Sequence, residues 1–415
     1  MKRASVCLVT SAHVSYNPRL TKEADSLAEA GYDVRVVAMN VEKWRARVDD
    51  DLMRSRSWSL HRINGRRDEL GGVFRSGIAA LRQKYHILLG PSADAYSRYN
   101  RQLFNAVVRT PADLYIAHNL PALAATAQAA RYHKAKLGFD AEDFHRGEYP
   151  EVEKTAPLRA LTAWVEEKYI PQCDYVTAAS GGIADAYAEV LKIPRPIPIL
   201  NVFSRDEREG TTPAPELASE RKGDGISLYW YSQVIGPDRG LGDALAAAGL
   251  LKPRVRLHVR GAWSSVDYRQ AFERETRELG IEDRVHTLSP VSPVELIERA
   301  AQHDVGLALE PGDRLNNRLA TSNKLFGYMV AGLAIAATDV EGQSQVLRPE
   351  QEAAFLYPPG DAQTLAAKLT TWLDNPQALA RARQRSRSLA ETRYCWEIES
   401  GKFLGLIAGV LGHPK

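Results

Sequence analysis

Only three cysteines occur in 415 residues, Cys7, Cys173 and Cys395, and no two lie near each other. With no CxxC pair and no Cys/His cluster, neither a disulfide framework nor a zinc site is expected, and a reducing compartment fits. No run approaches the roughly 18–20 apolar residues that a membrane span requires. Lys2 and Arg3 precede an apolar run over 4–9, but it is shorter than a secretory h-region and leads into a polar loop. It reads as a first strand, and the protein is expected to be cytoplasmic. Neither sign of charge dominates, since the formal net charge is +3. The turn after the first strand lacks GxGxxG, which argues against a nicotinamide or flavin enzyme.

What is present is an ordinary soluble composition, 44% apolar and 25% charged, in a chain too long for one core. Two domains are expected. In the first half, strand 5–10 is followed by Asn17-Pro18, an N-cap with proline at N1. Leu20, Ala24, Leu27 and Ala28 recur at helical spacing up to Gly31. Asn17 and Arg19 either face the crevice at the strand ends or merely cap and solvate this helix. Strand 113–117 ends in His118, helix 120–132 follows, and strand 136–139 leads to an acidic loop with Asp140, Glu142, Asp143 and His145. A long helix over 158–169, strand 175–178, a helix opened by Ser180 and a last strand over 199–203 complete a doubly wound half. Its active crevice is expected beyond the carboxyl ends of the strands. His118 there fits a direct role, or a hydrogen-bonded wall residue.

Between these elements, 43–109 carries 14 Lys/Arg against six Asp/Glu, an excess of 14 − 6 = +8. Trp58, Leu60, Ile63, Val73, Phe74, Ile78, Leu81, Ile87 and Leu88 are interleaved with that charge. Such an insertion fits an anionic membrane surface or a solvated helical face over the sheet. Nucleic acid is not expected, because no binding motif accompanies the charge.

Segment 204–224, rich in charge, Pro, Gly and Thr, reads as a linker. A second α/β series follows. It has strands at 226–231, 254–259, 285–288 and 305–309, a loop over 232–239, and Arg260-Gly261 and Glu310 at strand ends. Residues 321–338 then hold a cap, a helix, a stop and a strand. Ser322 or Asn323 is the N-cap, the helix starts at Lys324, and Gly332 ends it before strand 333–337. Free amides, a helix dipole and an ammonium at one helix start make a site for phosphate. The same pattern also fits a plain helix with a solvated lysine. Segment 378–411 is expected to be helical and to pack on the protein.

These residues resemble the family 4 glycosyltransferases of the GT-B fold over almost the whole chain. Asn17-Pro18-Arg19 through Glu23-Ala24 and Gly31 is similar to their N-terminal signature. Segment 113–118 resembles the strand ending in the family's active-site histidine. Segment 232–241 resembles the donor loop whose two basic residues hold the diphosphate. Ser322-Asn323-Lys324-Leu325-Phe326 with Ala331-Gly332 resembles the nucleotide-binding helix start, and Trp396 the aromatic before the last helix. The resemblance implies two Rossmann-like doubly wound domains facing across a cleft, with a C-terminal helix crossing back. Its expected divisions are an acceptor domain over 1–203, the linker 204–224, a donor domain over 225–385 and a helical segment over 386–415. It implies retaining transfer from a nucleoside diphosphate sugar, UDP or GDP favoured, with no tightly bound cofactor and no obligatory metal. The acceptor would be a glycan, lipid-linked or small-molecule group in bacterial cell-surface or exopolysaccharide synthesis, and the basic insertion motivates peripheral contact at the inner membrane face.

Under this resemblance His118, Arg239 and Lys324 are catalytic. Gln233, Arg239, Arg260, Gly261, Glu310, Ser322, Asn323, Lys324 and Leu325 handle the donor. Asn17, Arg19, Asp140 and His145 face the acceptor. Gln233 stands where the family has an arginine, keeping donors but losing charge. The family's two glutamates eight positions apart fall on Leu319 and Gly327, and neither side chain can accept a ribose hydrogen bond. Two other readings therefore stay open. One is a catalytically silent sugar-nucleotide-binding scaffold, and the other a sugar-nucleotide epimerase of the same fold.

Overall fold

The structure, a computed structural model, describes residues 3–65, 70–208 and 225–412. The chain divides into two compact units, one of Met1–Ile199 with Ser400–Lys415 and one of Leu200–Glu399. Of the segment read as a linker, 209–224 lies outside the described residues, as do 66–69 of the basic insertion.

The first unit is built on seven strands: β1 (Ser5–Thr10), β2 (Asp33–Asn40), β3 (Ser59–Asn64), β4 (Leu114–His118), β5 (Lys136–Ala141), β6 (Tyr175–Ala178) and β7 (Ile197–Pro198). They pair in parallel in the order β3-β2-β1-β4-β5-β6-β7. Every residue of β4 is buried, as is β1 from Val6 onward. Apolar runs without alternation follow from helices covering both faces. The strand order reverses beside β1, so the sheet opens at the carboxyl ends of β1 and β4, where Thr10 and His118 are register partners.

Three sequence expectations shift here. The 43–109 segment is not wholly an appendage, because β3 extends the sheet edge and Trp58 is buried, its indole N–H donating to Asp25 at 2.7 Å. Asp140 lies within β5 rather than in the loop beyond it, as the register partner of His118. No strand covers 199–203. The last strand is the short β7, where alternate prolines leave few N–H groups for a ladder.

The second unit holds β8 (Ile226–Ile235), β9 (Val255–Trp263), β10 (Val285–Leu288), β11 (Val305–Ala308), β12 (Ala334–Thr338) and β13 (Ala354–Tyr357), parallel in the order β10-β9-β8-β11-β12-β13. Strands β8 and β9 run past their expected ends, so Gln233, Arg260 and Gly261 lie inside strands. The extension is held by Val234 pairing with Ala262 and Ile235 with Trp263. Gly261 has φ 155°, and a Cβ there would sit 2.5 Å from the Ser232 carbonyl oxygen, so the two backbones meet only through a glycine.

The helix Asn323–Ala331 follows Ser322 as N-cap and stops at Gly332, whose φ of 72° supplies the left-handed stop. Tyr328 seats it on β11. The ring covers Gly306, where a Cβ would come within 2.3 Å of ring carbon Cγ, and the hydroxyl donates to the Leu307 carbonyl at 3.0 Å. Among the described residues no helix is long and apolar enough to cross a membrane. Because the ring leaves no room, Gly306→Ala should destabilise the fold by about 1–3 kcal/mol. A urea unfolding midpoint equal to wild type would show that Tyr328 is free to move aside.

Candidate active site

Beyond the carboxyl end of β4 the first unit buries a cluster of charges. The helix Pro18–Glu29 starts there, with Asn17 as its cap: Oδ1 accepts from the Leu20 N–H at 2.8 Å, and Nδ2 donates to Glu142. One turn apart, Arg19 and Glu23 point to the strand ends. Arg19 grips Asp140 with two parallel hydrogen bonds, Nε to Oδ2 at 2.5 Å and a terminal nitrogen to Oδ1 at 2.7 Å. Its third nitrogen donates to the Ile199 carbonyl. Thr177 donates to Asp140 Oδ1 at 2.6 Å. The His118 ring sits between carboxylates, with Nε2 3.2 Å from Glu23 and Nδ1 3.4 Å from Asp140 and 3.6 Å from Glu142. Arg19, Glu23, His118 and Asp140 are all within 1% of complete burial.

Charge balance decides how this cluster holds protons. Two fully buried carboxylates, Glu23 and Asp140, and the partly exposed Glu142 face one guanidinium, so a neutral imidazole would leave a negative charge buried and uncompensated. Burial alone would lower the His118 pKa, but Glu23 and then Asp140 and Glu142 outweigh it and hold the imidazolium well above the usual value. Burial and the Asp140 charge push the Glu23 carboxyl up. Burial would raise Asp140 too, but the Arg19 and His118 charges hold it far below the carboxylate range. Glu23, His118 and Asp140 also offer ligand atoms within 4.8 Å of one another, close enough for a metal ion. Arg19 already supplies a fixed positive charge on Asp140, so the cluster is better suited to a proton. His145 belongs to a neighbouring network. Its Nδ1 is 2.9 Å from Glu148, and its Nε2 accepts from the Leu120 N–H at 3.3 Å.

In the second unit the corresponding sheet opening lies at the ends of β8 and β11. The turn Pro237–Arg239 leaves Arg239 exposed and ends at Gly240 with φ 69°. A Cβ on Gly240 would lie 2.9 Å from Leu309 Cβ, so this turn abuts the end of β11. Arg314 ties the two together through Asp238 at 2.9 Å. Glu310 follows at once, its N–H donating to Thr338 Oγ1 at 2.9 Å and its carboxylate 3.5 Å from Lys324 Nζ. Lys324 also lies 5.8 Å from the Trp230 ring centre. Ser322 makes no side-chain cap bond to the helix it opens. Among the described residues no acceptor faces the first-turn N–H groups of Asn323 and Lys324, which suits them to donate to an anion.

The remaining candidates are placed differently. Arg260 is buried, donating to the Tyr229 hydroxyl at 2.8 Å and the Ser289 carbonyl at 2.7 Å. Leu325 is buried, while Gln233 and Asn323 are exposed. Leu319 is buried too, and a Cβ on Gly327 would come 2.4 Å from the Tyr231 hydroxyl, so a side chain there would displace the phenol. Several participants were not singled out by the sequence as site residues: Glu23, Glu142, Thr177, Tyr231 and Gln343. The four-residue step from Arg19 to Glu23 was the available signal for the first. Gln343, whose amide donates to Ala308 O, Thr338 O and Thr338 Oγ1 at 2.8–3.2 Å, carried none.

The cluster generates a pH prediction. His118 and Glu23 both bind protons more tightly folded than unfolded, so stability falls as pH rises above their unfolded values, about 6.5 and 4.5. Glu23→Gln removes one such group and weakens the hold on the other. Its thermal midpoint should fall less steeply than wild type between neutral and alkaline pH, and parallel slopes would remove the coupling.

Known proteins agree with this architecture. The model for "Glycosyl transferase 4-like domain" matches residues 16–199, and that for "Glycosyl transferases group 1" matches residues 218–389. A curated relative, the MMP α-(1→4)-mannosyltransferase of Mycolicibacterium hassiacum, is 32% identical over 127 residues, covering 30% of this chain and 29% of that enzyme. Among solved structures, sucrose-phosphate synthase from Thermosynechococcus elongatus superposes with TM-score 0.74 at 15% identity, over 99% of this chain and 100% of that one. A Rickettsia africae glycosyltransferase gives 0.71 at 14%, over 99% of both. HepE of Anabaena in complex with UDP gives 0.70 at 15%, over 98% of this chain and 100% of that one. Two parallel α/β sheets, two adjoining family models and these neighbours lead to one conclusion: the chain belongs to the family 4 glycosyltransferases of the GT-B fold.

Proposed function

We propose that the protein transfers a hexosyl group from a nucleoside diphosphate sugar, UDP- or GDP-linked, to a glycan, lipid-linked or small-molecule acceptor, with retention and without an obligatory metal. The carrying observation is Lys324 in the first turn of a helix that lacks a side-chain cap, beside Glu310 and the turn bearing Arg239. A departing diphosphate gathers negative charge, and fixed N–H donors with two cations stabilise it without reorganising. HepE was crystallised with UDP and with UDP-glucose, and the mycolicibacterial relative is a mannosyltransferase, which supports a nucleotide sugar and a hexose. In this reading the second unit holds the donor, and the first, through Asn17, Arg19, Asp140 and His145, serves the acceptor. His118, being buried, acts through the charge it holds beside Glu142. The protein works in the cytoplasm on cell-surface polysaccharide, with peripheral contact at the inner membrane face.

A second reading is favoured by one observation. The Tyr231 hydroxyl fills the space where the family's ribose glutamate would stand, so donor could bind without productive transfer.

Calorimetry with UDP and GDP tests the first reading. Lys324→Ala and Arg239→Ala should each lose about 1.5–3 kcal/mol of diphosphate binding, the worth of a charge-assisted hydrogen bond. Unchanged affinity in both variants would place the diphosphate elsewhere. His118→Ala should keep nucleotide affinity while turnover with donor and acceptor falls. Binding without turnover in the wild type, across a panel of acceptors, would select the second reading.

A further inference from the structure

The helix Leu70–Leu89 presents its apolar face outward. Phe74, Ile78, Leu81, Tyr85 and Leu88 recur at steps of three and four, which places them on one stripe, and Leu89 widens it. All are exposed, Phe74 by 70%, Leu81 by 71% and Leu88 by 86%. The opposite face is the one that packs. Ala79 is buried, Gln83 donates to the Ala95 and Tyr96 carbonyls at 3.0 and 3.2 Å, and His86 lies 3.8 Å from Asp94. An ordinary surface helix buries its apolar stripe and wets its polar one. Here the arrangement is inverted, and contiguous exposed apolar surface of this kind marks a docking face.

Charge identifies the occupant. The helix sequence LGGVFRSGIAALRQKYHILL contains no acidic residue. Arg82 and Lys84 fall on the two flanks of the stripe, where long cationic side chains reach past apolar neighbours toward an anionic plane. A second copy of the same helix would oppose like charges across the seam, whereas an anionic bilayer neutralises them. Among the described residues no helix is both long and apolar enough to cross a bilayer, and a basic helix with one apolar stripe fits a position in the plane of the interface. We propose that Leu70–Leu89 is a membrane-docking helix that seats the first unit on an anionic lipid surface through Phe74, Ile78, Leu81, Tyr85 and Leu88, with Arg82 and Lys84 contacting headgroups. This extends the membrane part of the proposed function and is independent of sugar transfer.

Co-sedimentation of the full-length protein with phosphatidylcholine vesicles, with and without about a third phosphatidylglycerol, tests it at low and physiological salt. Wild type should bind the anionic vesicles. The triple variant Ile78→Ser/Leu81→Ser/Leu88→Ser should bind at least about ten-fold more weakly. Arg82→Gln and Lys84→Gln should each cost about five-fold and flatten the salt dependence. All these positions are exposed or flanking, so the variants should keep wild-type melting curves and UDP affinity, which separates this test from that of the nucleotide site. Vesicle binding by the triple variant equal to wild type would overturn the proposal, as would failure of the wild type to bind. So would a lipid-free wild-type dimer that the triple variant converts to monomer in sedimentation velocity, since the stripe would then be a seam between copies.

Discussion

The double hydrogen bond from Arg19 to Asp140 is what allows the first unit to bring charge to the end of its sheet. A carboxylate at zero exposure is costly, and one matched by a planar fork is tolerable. Asp140 can therefore stay within β5, opposite His118, instead of being expelled into solvent. The guanidinium also takes up the Ile199 carbonyl left without a strand partner where the prolines end the sheet. Glu23, one turn along the same helix, then finds the imidazole at 3.2 Å. Removing the arginine would strand several groups at once, because each neighbour depends on charge that it supplies.

The second unit solves a different problem, which is to aim a helix start. Tyr328 lies flat over Gly306 and bonds to β11, fixing the helix depth. Gln343 closes the ends of β11 and β12 by donating to both, which steadies the backbone just before Glu310. Glu310 in turn lies 3.5 Å from the Lys324 ammonium. Under the proposed function, a diphosphate would compete with this single carboxylate for the lysine.

Much of this was legible in the chain. Alternating apolar runs and helical repeats were enough to count two doubly wound halves and to put His118 at a strand end, because parallel strands buried on both faces leave an unmistakable pattern. The Ser322 to Gly332 helix was readable from its cap and stop residues. Lengths of strands were less so. β8 and β9 continue through Gln233 and Gly261 because they pair with each other, and pairing is a property of two segments at once. The burial of Asp140 and Arg260 was hidden for a related reason, since a charge reads as exposed until its partner, distant in sequence, is known. The basic insertion was the hardest to divide, for its charge average conceals a sheet edge at β3 and an outward apolar stripe at Leu70–Leu89.

The contact between Tyr231 and Gly327 has a corollary for substitution. A Cβ at position 327 would lie 2.4 Å from the Tyr231 hydroxyl, so a larger residue there requires the phenol to shift. Shrinking residue 231 would instead open a void beside Tyr328. The two positions are thus sterically coupled, and a replacement at one is felt at the other.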